Sequence, residues 1–356
     1  MTAGEKGSEA AMSGGRVCVT GAAGYIATWL VKKLLHRGCL VHATIRNIGD
    51  EKKTELLRGL PGAAERLVLF EADMYDADSF EAAIAGCEFV FLLATPMQHD
   101  PSSIKYKNNT EAAVDAMRII LQQCERSKTV RRVIHTASVS AASPLREDGT
   151  GYKDFINESC WSPLSLTYDF TNPHLDGYVS SKTLSEKELL SYNSSSSPSS
   201  SEKNKRPALE VVSLVCALVG GDTLQPYLWS SIPVIVAPLT GNEQYHNALK
   251  FMQALLGSVP LAHIEDICNA HIFCMDQPSI AGRFLCVAGY PNMKDYVDHF
   301  AAKFPDIEIK LKEVVGEGVR VQADTKKLED LGFKFRYGVE ETLDASVECA
   351  KRLGEL

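Results

Sequence analysis

The sequence of 356 residues predicts an α/β fold, a doubly wound parallel sheet covered by helices, with a smaller C-terminal lobe beside it. Three observations carry this prediction. Short apolar stretches alternate with stretches of helical periodicity from residue 16 to residue 218, the pattern of parallel strands joined by crossover helices. A turn containing two glycines joins the first strand to the first helix. After about residue 222 several prolines interrupt the alternation, which indicates a different architecture there.

The elements follow from their apolar spacing. Six stretches have the length and apolar content of buried strands: Arg16–Thr20, Leu40–Ile45, Leu67–Phe70, Phe89–Ala94, Arg132–Thr136 and Leu209–Leu218. Seven stretches place apolar residues three and four apart, which predicts helices: Tyr25–His36, Asp50–Arg58, Ser79–Ala85, Thr110–Cys124, Tyr178–Tyr192, Asp324–Leu331 and Val339–Leu353.

Composition suggests the domain boundaries. Residues 1–15 are rich in Gly, Ala, Ser and Glu and predict a disordered tail. Residues 16–222 predict the sheet domain, interrupted at 193–207 by a serine-rich polar stretch that predicts a mobile surface loop. Residues 223–356 predict mainly a substrate-binding lobe over the carboxyl ends of the strands, with some segments returning to the first domain.

Charge and cysteine usage exclude several classes of protein. Lys and Arg number 37 against 45 Asp and Glu, so the net charge of −8 disfavours nucleic-acid binding. We find no apolar stretch long enough for a membrane span and no apolar core of a signal peptide. The ten cysteines are scattered without a C-x-x-C pair, which favours a reducing compartment. We therefore expect a cytoplasmic protein.

The turn after the first strand has the features of a phosphate-binding loop. Gly21 permits a tight turn, Gly24 lets the backbone approach a phosphate, and Tyr25 and Ile26 open the next helix. The N–H groups at that helix N-terminus would face the anion. The position of the glycines between a strand and a helix favours dinucleotide binding over a plain glycine turn. The first domain is therefore predicted to be of the Rossmann type.

The end of the second strand favours NADPH as the cofactor. Arg46 and Asn47 stand where an NAD-selective fold would place Asp or Glu against the ribose 2′-hydroxyl. An arginine suits a 2′-phosphate instead, and Lys53 adds positive charge nearby. The alternative is that Arg46 is a solvated residue at the strand end.

A Tyr-x-x-x-Lys pattern marks the predicted catalytic residues. It occurs at Tyr178/Lys182 and again at Tyr290/Lys294. Pro291 disfavours a helix running through the second copy, whereas Tyr178 and Lys182 share one face of a proline-free helix. We therefore expect Tyr178 to donate a proton to a substrate oxygen and Tyr290 to be structural. Lys182 is expected to hold the cofactor ribose and to lower the pKa of Tyr178 by its charge.

Ser138 follows the strand that precedes this helix, and we expect its hydroxyl to bind the substrate carbonyl oxygen. A turn-capping role for Ser138 and a substrate role for Ser140 are the alternatives. A histidine and cysteine cluster at residues 263–274 has weak metal-site spacing and is predicted to be a core helix, with no metal bound.

With these residues placed, the chain resembles the plant dihydroflavonol reductase, anthocyanidin reductase and cinnamoyl-CoA reductase group of the extended short-chain dehydrogenase/reductase superfamily. The motifs that carry the resemblance are VTGAAGYIATWLVKKLL at the first turn, ATPM at Ala94–Met97, ESCWS at Glu158–Ser162, LTGNE at Leu239–Glu243 and HIEDICNAHIF at His263–Phe273. They extend from about residue 16 toward the C-terminus.

The resemblance implies a set of cofactor contacts along the carboxyl ends of the strands. These are Gly21, Gly24, Tyr25, Ile26, Arg46, Lys53, Asp73, Met74, Leu93, Ala94, Thr95, Thr136, Tyr178, Lys182, Cys216, Val219 and Ser231. Asp73 would receive the adenine amino group. Cys216 stands where the family usually has proline, and this departure changes the contact on the nicotinamide side.

The resemblance also implies the substrate residues Ser138, Tyr178, Ser143 and Pro260. Ser143 replaces an Asn of dihydroflavonol reductases, and Pro260 aligns with a glutamine that contacts the same B ring. Both polar B-ring contacts are therefore expected to be changed or lost.

The first hypothesis for function is NADPH-dependent reduction of the C4 ketone of a flavanone or dihydroflavonol, giving the alcohol. The alternative is an anthocyanidin reductase. LDGYVSSK around Tyr178 differs from the cinnamoyl-CoA reductase motif and disfavours that activity, and the intact Ser, Tyr and Lys set disfavours a non-enzymatic NADP-binding protein. Weak association with other enzymes of flavonoid biosynthesis is a further expectation.

Overall fold

A computed structural model describes residues 14–96, 104–195, 209–229 and 231–356. The expected N-terminal tail lies outside the described residues apart from Gly14 and Gly15. The expected serine-rich loop lies outside them from residue 196 onward, and its first three residues belong to the end of a helix.

Eleven strands occur in the described residues: β1 Arg16–Val19, β2 Leu40–Ile45, β3 Leu67–Glu71, β4 Phe89–Leu92, β5 Arg132–Ser138, β6 Phe155–Ile156, β7 Glu210–Cys216, β8 Leu218–Gly220, β9 Leu261–His263, β10 Gly282–Cys286 and β11 Gln322–Ala323. The helices are α1 Tyr25–His36, α2 Glu51–Arg58, α3 Ala63–Arg66, α4 Glu81–Ile84, α5 Asn109–Ser127, α6 Pro173–Ser195, α7 Ile232–Ile235, α8 Ala237–Thr240, α9 Glu243–Leu256, α10 Ile264–Asp276, α11 Met293–Lys303, α12 Lys327–Asp330 and α13 Val339–Arg352.

Seven strands form one parallel sheet in the order β10-β7-β5-β4-β1-β2-β3. This confirms the predicted α/β class with a doubly wound parallel sheet. The strand order reverses between β1 and β4, and ligands bind at the carboxyl ends of strands beside such a switch point. β10 comes from the C-terminal part of the chain and extends the sheet beyond β7.

Apolar side chains alternate between the two faces of the sheet and build a core on each. In β1, Val17 and Val19 pack on the side that includes α1 and α10, whereas Cys18 packs on the side that includes α5. This alternation follows from the two-residue period of a strand. All ten cysteines lie in the described residues, where they are buried and free of disulfides.

Several predicted elements differ in extent from the structure. The predicted strand Leu209–Leu218 is divided into β7 and β8, which belong to different sheets. The predicted helix Ser79–Ala85 is α-helical only at Glu81–Ile84, after a 3-10 helix at Ala77–Phe80. The stretch 324–331 is helical only at Lys327–Asp330, and it follows a two-residue strand that pairs with Phe155–Ile156. The helix that carries Tyr178 begins at Pro173 and not at Tyr178, because the Asn172 side chain accepts hydrogen bonds from the backbone N–H groups of His174 and Leu175. Proline at the first helical position and asparagine at the cap are favourable helix starts. Tyr178 therefore stands inside a formed helix.

No helix within the described ranges combines the length and the apolar content needed to cross a bilayer.

Candidate active site

The glycine turn lies at the switch point of the sheet. Gly21 has a φ of +62°, and a Cβ there would stand 3.2 Å from the Cα of Ala94. Thr20 Oγ1 accepts hydrogen bonds of 2.9 Å from the N–H groups of both Leu93 and Ala94. The ends of β1 and β4 are therefore held close together, and glycine is needed at residue 21 for its conformation and for the space.

The start of α1 completes this turn. Gly24 is its N-cap, and its first turn has no acidic residue, so the helix dipole favours an anion there. Tyr25 is buried and its hydroxyl donates to the Gly220 carbonyl at 3.3 Å. Ile26 packs against the core. Tyr25 thus ties the predicted phosphate loop to the end of β8.

The residues predicted to select the cofactor lie at the ends of β2 and β3. Arg46 is three-quarters exposed, and its Nε lies 3.5 Å from Oδ2 of Asp73. Asp73 Oδ1 accepts a hydrogen bond from the N–H of Tyr75, and Met74 between them is buried. Lys53 forms an ion pair of 2.7 Å with Asp50, the N-cap of α2. Arg46 is therefore free to turn toward a ligand at the cost of one exposed ion pair.

Ser138, Tyr178 and Lys182 come together at the carboxyl end of β5. Ser138 is the last residue of the strand and is partly exposed. Its Oγ accepts hydrogen bonds from the Ser140 N–H at 3.2 Å and the Ser140 hydroxyl at 2.9 Å. Lys182 lies one turn beyond Tyr178 on α6, with its Nζ 6.0 Å from the Tyr178 ring centroid. The sequence-predicted trio is therefore assembled, and Ser140 contacts it.

Lys182 connects α6 to the ends of β4 and β5. It is buried, and its Nζ donates hydrogen bonds to the Thr95 hydroxyl at 2.9 Å and the Thr136 carbonyl at 3.2 Å. Burial lowers the pKa of Lys182 to about 8, while Cys216 and Glu186 favour its charged form. The ammonium group therefore has a fixed position at the predicted ribose site.

The pKa of Tyr178 differs from the expectation drawn from the sequence. Burial raises the pKa of this phenol above its ordinary value, while hydrogen bonding with Ser138 and Ser140 lowers it and Cys216 raises it. The expected lowering of this pKa by Lys182 is therefore wrong for this structure, because the half-buried phenol loses contact with water and that loss has the largest effect. The hydroxyl is protonated at neutral pH, which is the state a proton donor needs.

Cys216, Val219 and Ser231 are the last of the predicted cofactor contacts along the chain, and Cys216 lies beside this trio. Cys216 is directly opposite Ser138 in the β5–β7 register, is buried, and its thiol donates to the Leu214 carbonyl at 3.4 Å. The Ser231 hydroxyl contacts both backbone groups of Val219, accepting from its N–H at 3.2 Å and donating to its carbonyl at 2.5 Å. These contacts hold residue 231 against β8, the strand that follows directly after β7.

At Ser143 and Pro260, the two positions that the resemblance assigns to the B ring, the polar groups contact the protein itself. Ser143 is fully buried; its hydroxyl donates to the Leu255 carbonyl at 2.5 Å and accepts from the Leu145 N–H at 3.1 Å. Pro260 is buried and its carbonyl accepts from the Leu218 N–H at 2.9 Å. The Ser143 hydroxyl and the Pro260 carbonyl thus both form hydrogen bonds with backbone groups, so neither is free to bind a substrate in this structure.

The second Tyr-x-x-x-Lys motif, Tyr290/Lys294, and the histidine and cysteine cluster at residues 263–274 were the other candidate sites in the sequence. Lys294 lies in the first turn of α11, is exposed and binds Asp298, whereas Tyr290 lies before that helix. His271 on α10 is buried; its Nδ1 donates to the Ile267 carbonyl and its Nε2 accepts from the Thr136 hydroxyl at 2.7 Å. Within the described residues no group of ligands suits a metal ion.

Sequence reasoning missed two kinds of residue near the site. Thr20 and Thr44 hold the glycine turn, the latter by accepting from the Gly21 N–H at 3.1 Å. Glu186 on α6 and Arg283 on β10 form a buried ion pair. The threonines lie at strand ends and Glu186 follows Lys182 by one turn, but nothing in the local pattern links Glu186 to a residue 97 positions away.

Comparisons with known proteins identify the family of this chain. A family model described as the NAD dependent epimerase/dehydratase family matches residues 17–284. A putative anthocyanidin reductase from Ginkgo biloba is 35% identical over 344 residues, covering 96% of this chain and 95% of that protein. A dihydroflavonol 4-reductase from Dianthus caryophyllus is 33% identical, covering 96% and 89%.

The crystal structure of vestitone reductase from alfalfa, Medicago sativa, has the same fold. It matches with a TM-score of 0.75 and 32% sequence identity, covering 96% of this chain and all of that one. The likeness therefore includes the C-terminal lobe as well as the sheet.

Proposed function

Because the chain belongs to the NAD dependent epimerase/dehydratase family, as an oxidoreductase of the dihydroflavonol reductase, anthocyanidin reductase and vestitone reductase type, we propose that it uses NADPH to reduce a flavonoid. The single observation that carries this proposal is the assembly of Ser138, Tyr178 and Lys182 beside the glycine turn at the switch point of the sheet. The cofactor and substrate enter at the carboxyl ends of the same strands.

The residues present fit a dinucleotide. At Gly21 a side chain would be strained by the positive φ and crowded against Ala94, and α1 begins there without an acidic residue. Bound NADPH supplies a hydride. Lys182 orients the ribose, since its Nζ is already held between Thr95 and Thr136. Arg46 supports the choice of NADPH over NADH because it stands at the ribose end with only an exposed ion pair to break.

In the proposed reaction the protein supplies a proton and a place for the oxygen. The Ser138 hydroxyl positions the substrate oxygen, and the protonated Tyr178 donates to that oxygen as negative charge develops on it. The burial that raises the pKa of Tyr178 keeps the phenol protonated until that charge appears. This arrangement suits reduction of a carbonyl group.

The order of the substrate candidates changes from the sequence-based hypothesis. The relatives support an anthocyanidin as the first candidate substrate. The putative anthocyanidin reductase from Ginkgo biloba and anthocyanidin reductases from Vitis vinifera are 34–35% identical to this chain. A C4 ketone of a dihydroflavonol or flavanone is the second candidate, favoured by the Ser138 and Tyr178 arrangement for an oxygen that gains a proton.

The test is NADPH consumption with cyanidin, dihydroquercetin, naringenin and vestitone in parallel, each product identified by chromatography. Turnover of cyanidin above the others supports the first candidate, and turnover of a C4 ketone alone supports the second. Absence of turnover with all four, in protein that binds NADPH, would reject a flavonoid substrate. Tyr178→Phe is the control, because turnover that survives it cannot use the proposed proton donor.

A further inference from the structure

One buried arginine, Arg283, connects the helix that carries Tyr178 to the turn that follows Ser138. Arg283, on β10, is 5% exposed and all five of its N–H groups are used. Nε donates to Glu186 Oε1 at 2.9 Å, and Nη2 donates to Glu186 Oε2 at 3.0 Å and to the Ala141 carbonyl at 3.2 Å. Nη1 donates to the Glu158 carbonyl at 3.0 Å and to the Cys160 carbonyl. Such full use of a guanidinium is what makes its burial tolerable.

The glutamate of this pair belongs to the catalytic helix. Glu186 lies one turn after Lys182 and two turns after Tyr178, so the three residues follow one side of α6. It is fully buried, and its Oε1 also accepts a hydrogen bond of 2.6 Å from the Ser213 hydroxyl on β7. The carboxylate therefore anchors α6 both to β7 and to β10.

The carbonyls bound by Arg283 belong to the turn that carries Ser138 and to a segment packed against it. Ala141 ends the 3-10 helix that follows Ser138. The segment containing Glu158 and Cys160 contacts the same turn, because the Ser162 hydroxyl donates to the Ser140 carbonyl at 2.6 Å. The guanidinium also stacks on the ring of Trp161, with 3.7 Å between the guanidinium carbon and the ring centroid.

We propose that Arg283 and Glu186 are positioning residues that set the distance and orientation between Ser138 and Tyr178. One side of the pair holds the helix of the proton donor, and the other side holds the turn of the residue that binds the substrate oxygen. This inference rests on the roles proposed for Ser138 and Tyr178. A displacement of about 1 Å at a reacting group costs on the order of 10²-fold in rate, so a rigid connection between the two has a direct catalytic consequence.

The variant Arg283→Lys distinguishes a positioning role of Arg283 from an effect of its positive charge. It keeps the positive charge beside Glu186 but has three donors in place of five and no planar fork. It cannot bind both carboxylate oxygens and three carbonyls at once. We expect Arg283→Lys to lower kcat on the order of 10²-fold while NADPH affinity changes by less than about threefold.

Arg132 offers a matched control in the same sheet. It is 2% exposed, pairs with Glu210 and donates to the carbonyls of Cys274 and Gln277 at 2.6 and 2.9 Å. It stands at the amino ends of β5 and β7, away from Ser138. Arg132→Lys should therefore lower the midpoint of thermal unfolding, as Arg283→Lys does, and leave kcat and its pH dependence near wild type.

The hydrogen bond between Ser138 and Tyr178 can also be tested without substrate, through the ionisation of Tyr178. The difference between the tyrosinate absorbance titrations of each protein and of its Tyr178→Phe counterpart reports the ionisation of Tyr178. Loss of the Ser138 hydrogen bond in Arg283→Lys should move that ionisation to higher pH. The titratable groups beside Tyr178 in the described structure, Lys182 on α6 and Cys216 at the end of β7, are unchanged in both variants.

A milder pair of variants covers the case in which Arg283→Lys does not fold. Ser213→Ala removes one hydrogen bond to Glu186, and Ser279→Ala removes the equivalent hydroxyl contact to Glu210. Only Ser213→Ala should lower kcat and raise the ionisation pH of Tyr178. The proposal would be overturned if Arg283→Lys and Arg132→Lys changed kcat equally and Ser213→Ala and Ser279→Ala did so too. It would also be overturned if the ionisation of Tyr178 were unchanged in both Arg283→Lys and Ser213→Ala. If wild type reduces no flavonoid, the proposed function fails while the titration still decides this inference.

Discussion

Replacing Arg46 by alanine tests the choice between NADPH and NADH at the residue on which it depends. Arg46 follows β2 with three-quarters of its side chain exposed, and its Nε lies 3.5 Å from Asp73 Oδ2. In the proposed complex its guanidinium turns to the 2′-phosphate. NADH lacks that phosphate and gains nothing from the arginine, so the variant should separate the two cofactors.

The magnitude follows from the two contacts that compete for Arg46. A charge-assisted hydrogen bond to the phosphate contributes about 1.5–3 kcal/mol. Breaking the exposed ion pair with Asp73 costs about 0–1 kcal/mol. The net of about 0.5–3 kcal/mol corresponds to a Kd for NADPH that is about 2- to 140-fold weaker in Arg46→Ala, at about 1.4 kcal/mol per tenfold.

Fluorescence titration of both cofactors measures this difference. Lys53→Ala is the control, because Lys53 is already paired with Asp50 at the start of α2 and should change the NADPH Kd by less than about threefold. Equal weakening of NADPH and NADH by Arg46→Ala would show that Arg46 supports the fold and not the phosphate. A larger loss in Lys53→Ala than in Arg46→Ala would also refute the reasoning.

Three further outcomes are expected. Tyr178→Phe should lower kcat by about 10²–10⁴-fold with little change in NADPH binding, whereas Tyr290→Phe should keep near wild-type kcat; a dead Tyr290→Phe would contradict the choice of motif. Ser143→Ala should lower the free energy of unfolding by about 1–3 kcal/mol, because it leaves the Leu145 N–H and the Leu255 carbonyl unpaired, without changing substrate preference in the four-substrate assay. Burial lowers the pKa of His271 from its ordinary value of about 6.5 to about 4. Between these pH values the unfolded chain binds a proton that the folded protein does not, so the free energy of unfolding should fall by up to about 3 kcal/mol as the pH is lowered from about 6.5 to about 4. Urea unfolding should show a smaller fall in His271→Gln and an unchanged one in a variant of the exposed His36; equal slopes in all three proteins would remove His271 as the cause.

Local pattern in the sequence was sufficient for much of the fold. The two-residue period of strands and the 3.6-residue period of helices depend on neighbouring residues alone, so β2 and α1 are found at the residues expected. The glycine turn is local in the same sense, since Gly21 must adopt a positive φ between β1 and α1. The spacing of Tyr178 and Lys182 likewise places them one helical turn apart wherever α6 packs.

Contacts between distant residues were decided by the tertiary structure. Strand order is one example, because β10 pairs with β7 although residues 217–281 lie between the two strands in the chain. Ser143 is another: the resemblance marks its position, but only the structure shows that its hydroxyl binds the Leu255 carbonyl 112 residues away. No periodicity encodes such pairings, since they depend on how complete elements pack.

The chemistry of Tyr178 shows the same division between local pattern and packing. The sequence alone determined that a tyrosine and a lysine share one face of a helix. Only the packed structure decided that burial raises the pKa of Tyr178, and that Arg283 binds Glu186 on that helix and Ala141 beside Ser138. Burial and long-range hydrogen bonds are properties of the assembled elements, because desolvation depends on every side chain that covers a group and not on its neighbours in the chain.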